Sequence, residues 1–268
     1  MNADTIWKDI KEIRGDAPLV HNITNFVVME VTANALLAIG ASPVMSHALE
    51  DVEDMVGIAS SLVLNIGTLS EPWIEAMFRA GEAARRRGLR IVFDPVGSGA
   101  TRYRTETSLR ILEELQPAII RGNASEIMSL VTSQTVTKGV DSRYGSDKAM
   151  DAAFRLTDKY RCVVSVSGAV DRIVFQNEII KIANGHEMMP RVTGLGCAAT
   201  ALTGAFAAVD PSPFEAAAAA MAVMGIAGEI AAEKAQGPGS FRVRFIDALH
   251  AIGENDLRTR LQAATESR

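Results

Sequence analysis

Two glycines precede a long apolar stretch in the segment TGLGC at 193–197. Free backbone N–H groups at the start of a helix bind anions, and the helix dipole favours negative charge there. Gly194 and Gly196 are therefore predicted to form an anion hole for a phosphate. Cys197 lies in the same turn, where a helix N-terminus would lower the pKa of its thiol. The alternative is a tight glycine turn beside an inert, buried cysteine.

Two carboxylates follow short apolar runs that read as strands. Asp94 comes directly after the run at 91–93, and Glu126 follows the run at 119–120 by six residues. Hard oxygen ligands suit Mg²⁺, which takes few protein ligands and keeps several waters. Asn123 and Glu126 also fit a helix-capping pair. Arg121 could clamp a phosphate or form a surface ion pair, and surface ion pairs are the commoner case.

Alternating apolar runs and amphipathic stretches must position these groups. Predicted strands at 61–66, 89–93, 118–120 and 162–166 alternate with predicted helices at 71–87, 105–115, 124–130 and 147–160. This rhythm indicates a parallel sheet covered by helices on both faces. Ligands bind beyond the carboxyl ends of such strands. Asn25, Asp94, Arg121, Ser167 and Cys197 are therefore expected to converge on one edge of the sheet.

The alternation of predicted strands and helices ends after residue 170. A hairpin is predicted from strands at 172–175 and 178–183, and the final third is predicted to be helical, at 196–209, 213–234 and 241–264. A polar stretch at 132–145 interrupts the middle of the chain. Because no linker, repeat or shift in composition divides the sequence, we expect one domain spanning 1–268.

Composition excludes several functional classes. Acidic residues number 32 and basic residues 27, a formal net charge of −5, which disfavours a nucleic-acid partner. Two cysteines are too few for a disulfide scaffold. Neither a signal peptide nor an uninterrupted apolar run of about 20 residues is evident, so we expect a cytoplasmic protein without a membrane partner. No Gly-Lys dipeptide occurs, which excludes a P-loop.

Six motifs in one order carry a resemblance. They are HNITN at 21–25, GASPVM at 40–45, NIGT at 65–68, DPVGSGA at 94–100, RGNASE at 121–126 and TGLGC at 193–197. Together they make the chain resemble the hydroxyethylthiazole kinase family of the ribokinase-like superfamily, from about residue 4 to about residue 260. The resemblance implies a ribokinase-like α/β fold, with a mainly parallel central sheet flanked by helices on both faces.

The resemblance also implies an activity in thiamine diphosphate biosynthesis and salvage. ATP, with Mg²⁺, would phosphorylate the hydroxyl of 4-methyl-5-(2-hydroxyethyl)thiazole to give 4-methyl-5-(2-phosphoethyl)thiazole. Cys197 matches the position where most ribokinase-like kinases place an aspartate base, so it is expected to act as base or to orient the acceptor. The remaining matches are thiazole contacts at Met45 and Gly194, nucleotide contacts at Arg121 and Ser167, and an acidic pair near the metal at Asp94 and Glu126.

The family is trimeric with active sites at subunit interfaces, so the resemblance implies a homotrimer in which Asn25 lines a shared pocket. Three other functions stay open. A hydroxymethylpyrimidine or sugar kinase of the same fold would favour aspartate at position 197. A hydrate dehydratase of this fold would normally also carry that aspartate. A non-catalytic nucleotide-binding module would have no need of a candidate base.

Overall fold

The computed structural model describes residues 1–131 and 142–268. Over these ranges nine strands form a single sheet in the order β2-β1-β3-β4-β5-β6-β7-β8-β9. Their bounds are β1 Leu19–Ile23, β2 Ser42–Val44, β3 Ser61–Asn65, β4 Ile91–Asp94, β5 Ile119–Asn123, β6 Val163–Ser167, β7 Asp171–Phe175, β8 Glu178–Ile182 and β9 Ala263–Ser267. Strands β1 to β6 pair parallel with one another, whereas the pairs β6–β7, β7–β8 and β8–β9 are antiparallel. The predicted parallel sheet with an appended hairpin is confirmed.

Helices cover both faces of the sheet. They are α1 Ala3–Asp16, α2 Met29–Ile39, α3 Val52–Ile58, α4 Glu71–Arg86, α5 Arg102–Arg110, α6 Ala124–Ser129, α7 Ser142–Tyr160, α8 Leu195–Val209, α9 Pro213–Ala232, α10 Pro238–Ala251 and α11 Glu254–Arg260. A π-helical turn, Ile111–Leu115, extends α5. Successive residues of β3 point to opposite faces of the sheet. Val63 packs into the core beneath α8 and α9, whereas Leu62 and Leu64 pack into the core beneath α4.

Helix α8 lies directly on the sheet because its residues are small. A Cβ at Gly204 would be 2.7 Å from Cγ2 of Val63, so only glycine permits the observed approach of α8 to β3. The helix contacts β1, β3 and β4 along its length. Its N-terminus is thereby held at the carboxyl ends of these strands, where the polar residues converge.

The prediction of one continuous helix at 241–264 is wrong. Helix α10 ends at Ala251, α11 begins at Glu254 after Gly253, and the chain finishes in strand β9, which pairs with β8. Backbone hydrogen bonds to an open sheet edge hold β9, and four of its five residues are exposed, so no apolar pattern marks it. The final third is therefore four helices followed by a strand. Of the polar stretch at 132–145, residues 132–141 lie outside the described residues.

Helix α9 is the one described helix that is long and apolar enough to cross a membrane by length and composition. In the fold it is a core helix, with 83% of its most apolar window buried. It packs against α8 on one side and α10 on the other.

Candidate active site

Polar side chains gather where the parallel strands end. The strand register places Asn65 beside Asp94 and Asn123 beside Ser167. Asn25 follows β1 by two residues and is 4% exposed. The predicted convergence of these groups at the carboxyl edge is therefore observed, and the N-terminus of α8 lies over the same edge.

Asp94 is the most deeply buried charge at this edge, with 1% of its surface exposed. Its Oδ2 accepts hydrogen bonds from Asn65 Nδ2 and Thr200 Oγ1, each at 2.8 Å. Burial raises the pKa of Asp94 to about 7, and the nearby Glu126 charge acts in the same direction, while the Arg121 guanidinium opposes both. Thr200, one turn along α8 from Cys197, ties that helix directly to the end of β4.

Cys197 lies in the first turn of α8 and is half-buried. Its Sγ accepts a hydrogen bond from Asn25 Nδ2 at 3.5 Å. Burial, followed by the charge of Asp94, raises the pKa of Cys197 to about 11, and hydrogen bonds from Asn65 and Asn25 offset only part of that rise. The expectation of a lowered thiol pKa is wrong, because it left out two influences that raise the pKa: desolvation of the thiol and the charge of the buried Asp94 carboxylate. The group in the site is a thiol at neutral pH.

The two glycines before Cys197 differ in what they require. Gly194 has φ +92°, and a Cβ there would be 2.6 Å from Cγ1 of Val31. A Cβ at Gly196 would meet only Arg121, with Nη1 at 3.3 Å. The N–H groups of residues 195–197 precede the first intrahelical bond, which Ala198 N donates to the Gly194 carbonyl. In the part of the chain that the structure describes, these N–H groups have no acceptor, so the turn presents free backbone donors. Gly194 is the position that needs glycine.

Glu126 is a helix cap. Its Oε2 accepts the Asn123 N–H at 2.9 Å, and Asn123 Oδ1 accepts the Glu126 N–H at 3.0 Å, which completes the capping box of α6. Its Oε1 accepts the Gly97 N–H at 3.0 Å, from the loop that follows β4. The capping alternative is therefore confirmed. Each carboxylate oxygen retains a second lone pair, so the cap leaves capacity for a cation.

Arg121 lies over the start of α8. Its Nη1 donates to the Gly196 carbonyl at 3.0 Å, and its Nε is buried without a hydrogen-bond partner in the described part of the chain. That geometry differs from a solvated surface ion pair. Ser167, at the end of β6, donates from Oγ to the Gly122 carbonyl at 3.3 Å. Both side chains thus border the strand ends on the side of β5 and β6.

Met45 is displaced from this group. It directly follows β2, the edge strand, and is half-buried. Neighbouring strands lie about 4.8 Å apart. In the order β2-β1-β3-β4, three strand spacings separate β2 from β4. Met45 is therefore about 14 Å, across the sheet, from the strand that ends in Asp94. The structure brings Asn25, Asp94, Arg121, Glu126 and Cys197 together and leaves Met45 at the rim.

Three positioning groups were missed from the sequence. Asn65 lies in the motif NIGT at 65–68, which predicts no role for it, and Thr200 is marked only by its spacing of three residues from Cys197. Arg104 gives no signal among the other arginines of α5. Its guanidinium donates to three carbonyls in the loops after β3 and β4, those of Ile66 at 2.7 Å, Val96 at 2.8 Å and Gly67 at 2.8 Å.

In the described part of the chain no three metal-binding side chains cluster together. The potential cation ligands at the edge are the two carboxylates Asp94 and Glu126. Both offer hard oxygen donors, the ligand type that Mg²⁺ prefers.

Residues 10–255 match the model of the hydroxyethylthiazole kinase family. A hydroxyethylthiazole kinase of Nitratidesulfovibrio vulgaris is 54% identical over 261 residues, which covers 97% of this chain and 98% of that protein. A hydroxyethylthiazole kinase of Syntrophus aciditrophicus is 56% identical over 260 residues, covering 97% of this chain and 96% of that protein.

Solved structures give the same picture. The hydroxyethylthiazole kinase protein of Pyrococcus horikoshii OT3 superposes with a TM-score of 0.91 at 43% identity, covering 98% of this chain and 100% of that chain. The Staphylococcus aureus pyridoxal kinase in complex with pyridoxal gives a TM-score of 0.65 at 16% identity, covering 93% and 98%. This second likeness concerns the fold alone, which is ribokinase-like.

Proposed function

The chain belongs to the hydroxyethylthiazole kinase family, and from that premise we propose that it transfers the terminal phosphoryl group of ATP to the hydroxyl of 4-methyl-5-(2-hydroxyethyl)thiazole. The products are 4-methyl-5-(2-phosphoethyl)thiazole, ADP and a proton, a step of thiamine diphosphate biosynthesis and salvage. The observation that carries the proposal is the start of α8, where free N–H groups and the Cys197 thiol lie beside the buried Asp94.

The chain's own residues have distinct roles in this transfer. The N–H groups of residues 195–197 bind the transferring phosphate, favoured by the dipole of the 15-residue helix α8. Arg121 binds the nucleotide, and its buried, unpaired Nε supports this role because a phosphate oxygen would supply the missing acceptor. Ser167 borders the nucleotide, while Gly194 and Asn25 contact the thiazole.

Cys197 orients the acceptor hydroxyl rather than removing its proton. With a pKa of about 11 the thiol remains protonated at pH 7, so it offers a weak hydrogen-bond donor to the acceptor oxygen. Phosphoryl transfer through a loose transition state demands little from the nucleophile before the proton leaves. A base at this position is therefore dispensable, which agrees with a cysteine in place of an aspartate.

Mg²⁺ fits the acidic pair. Asp94 would hold it through Oδ1, since Oδ2 already accepts hydrogen bonds from Asn65 and Thr200. Glu126 would hold it through a lone pair that its capping bonds leave free, and waters and phosphate oxygens would complete the shell. When bound, the cation would neutralise charge on the phosphate oxygens. In the free protein the same two carboxylates repel one another, since the Glu126 charge contributes to the raised pKa of Asp94.

A homotrimer with shared active sites accounts for the surface next to Asn25. Phe26 and Val27 follow it directly and are 64% and 68% exposed. Exposed apolar groups beside a site favour coverage by a partner. Met45, at the rim, would line the thiazole pocket across such an interface. We also propose that 1–268 acts as one domain and that the protein is cytoplasmic.

ADP release tests the function with one set of acceptors. The expected result is ATP- and Mg²⁺-dependent ADP release with the thiazole alcohol and little release with hydroxymethylpyrimidine, ribose or no acceptor. A preference for the pyrimidine or the sugar would assign a different kinase of this fold. The absence of ADP release with every acceptor would favour a dehydratase or a binding module.

A further inference from the structure

A chain of side-chain hydrogen bonds links Asp94 to Cys197. Asn65 Nδ2 donates to Asp94 Oδ2 at 2.8 Å, Asn25 Nδ2 donates to Asn65 Oδ1 at 2.9 Å, and Asn25 Nδ2 also donates to Cys197 Sγ at 3.5 Å. Asn65 is the central member and is 1% exposed. The Cys197 thiol is therefore connected to the buried Asp94 carboxylate through two amides.

Two backbone donors fix which way the amides face. The Gly67 N–H donates to Asn65 Oδ1 at 2.9 Å, so the other end of that amide must be the NH₂ group that meets Asp94. The Val27 N–H donates to Asn25 Oδ1 at 3.2 Å, so the NH₂ group of Asn25 must face Asn65 and Cys197. Because an N–H can only donate, neither amide can be reversed without leaving donors opposed.

The surrounding chain holds this arrangement in place. A Cβ at Gly67 would lie 2.5 Å from Asn25 Nδ2, so the Gly67 backbone packs directly against that amide. Arg104 holds the same loop through the Ile66 and Gly67 carbonyls. Asn25 therefore has little room to turn while Asn65 accepts its hydrogen bond.

We propose that Asn65 is a positioning residue for phosphoryl transfer. Its amide oxygen holds Asn25 in place, so that an N–H of Asn25 donates to the Cys197 sulfur. The thiol hydrogen then faces the acceptor hydroxyl. The proposal rests on the proposed function for its kinetic consequence. Its geometric consequence, a Cys197 environment that depends on Asn65, is independent of which acceptor is phosphorylated.

Two substitutions remove the orienting oxygen in different ways. Asn65→Leu keeps the number and branching of the side-chain heavy atoms, whereas Asn65→Ser has a hydroxyl too short to reach Asn25 and leaves room for water. Asn184 provides the matched control: it is also buried, donates to a carboxylate, that of Glu229, and accepts a backbone N–H from Gln262. Asn184→Ser should change stability without touching the site.

The first measurement is alkylation of Cys197 by iodoacetamide at pH 8, followed by peptide mass spectrometry. Hydrogen bonds from the amides favour the thiolate, so both Asn65 variants should react more slowly, by roughly tenfold for a shift of one pKa unit. Cys162 is 1% exposed and reports unfolding, because it reacts only when the core opens. Unchanged alkylation of Cys197 in a variant that keeps Cys162 protected overturns the proposal.

The second measurement is a double-mutant cycle with Cys197→Ala. Each Asn65 variant should lower kcat roughly tenfold with the KM for ATP within about twofold, and this loss should largely vanish in the Cys197→Ala background. A loss that persists in full there, or an equal loss in Asn184→Ser, overturns the proposal. If the wild type phosphorylates no thiazole alcohol, the proposed function fails, and the alkylation result alone decides the role of Asn65.

Discussion

Gly194 is the position at which one added carbon should damage the site most. With φ at +92°, an alanine there adopts a left-handed conformation that costs about 1–2 kcal/mol. Its Cβ would also stand 2.6 Å from Cγ1 of Val31 and 3.1 Å from Cγ1 of Val28, an overpacking that costs about 1–3 kcal/mol. Gly194→Ala should therefore lower the free energy of unfolding by about 2–5 kcal/mol.

The matched control is Gly196→Ala. A Cβ at Gly196 meets only Arg121 Nη1 at 3.3 Å, the far end of a flexible side chain. Its free energy of unfolding should stay within about 0.5 kcal/mol of the wild type. At about 2 °C per kcal/mol for a chain of this size, thermal melts should separate the variants by about 4–10 °C.

Activity should separate them as well. To relieve the contact with Val31, Gly194→Ala must move the start of α8, and a displacement of about 1 Å at a phosphate site can cost about 100-fold in kcat. Steady-state kinetics at a temperature where both variants are folded measure this. If Gly194→Ala has the same Tm as the wild type while Gly196→Ala has a lower Tm, the reasoning on backbone strain is refuted. If Gly194→Ala is destabilised but keeps its kcat, the α8 N-terminus does not bind the phosphate.

Three further predictions follow from individual side chains. Cys197→Ala should retain measurable activity with kcat lowered roughly tenfold, and Cys197→Asp should stay active; a phosphocysteine adduct found by mass spectrometry of enzyme quenched in turnover contradicts this. Glu126→Gln should raise the Mg²⁺ concentration needed for half-maximal kcat, and a titration that overlays the wild type leaves Glu126 as a cap alone. Burial, together with Asp210, raises the pKa of Asp9 from 3.8 to about 7. The folded state thus keeps a proton that the unfolded chain loses above about pH 4, so wild-type stability should fall between pH 4 and 7. Asp9→Asn should show a smaller difference in Tm between pH 5 and pH 8, and an unchanged difference refutes the assignment.

Much of the sheet could be predicted because its parallel strands are buried on both faces, which leaves continuous apolar runs. Strand β9 could not, since its pairing with β8 uses backbone groups while its side chains face solvent. The break after Ala251 was missed because one glycine, Gly253, interrupts a sequence that otherwise continues a helical pattern.

The candidate site likewise has residues whose place could be predicted from the sequence and others whose role could not. Asp94 and Cys197 could be placed because strand ends and helix starts of a parallel α/β sheet meet at one edge. The roles of Arg104 and the pKa of Cys197 could not be derived, because both depend on contacts across the fold. Arg104 reaches a carbonyl 38 residues away, and the buried charge of Asp94 acts on a thiol 103 positions later.

A crystal structure with the thiazole alcohol and a non-hydrolysable ATP analogue tests the central claim most directly. The account predicts the acceptor hydroxyl within about 3.5 Å of Cys197 Sγ, the Asn25 amide still directed at that sulfur, and the terminal phosphate on the N–H groups of residues 195–197. An alcohol bound away from Cys197, or a terminal phosphate held by other groups than the start of α8, would contradict it.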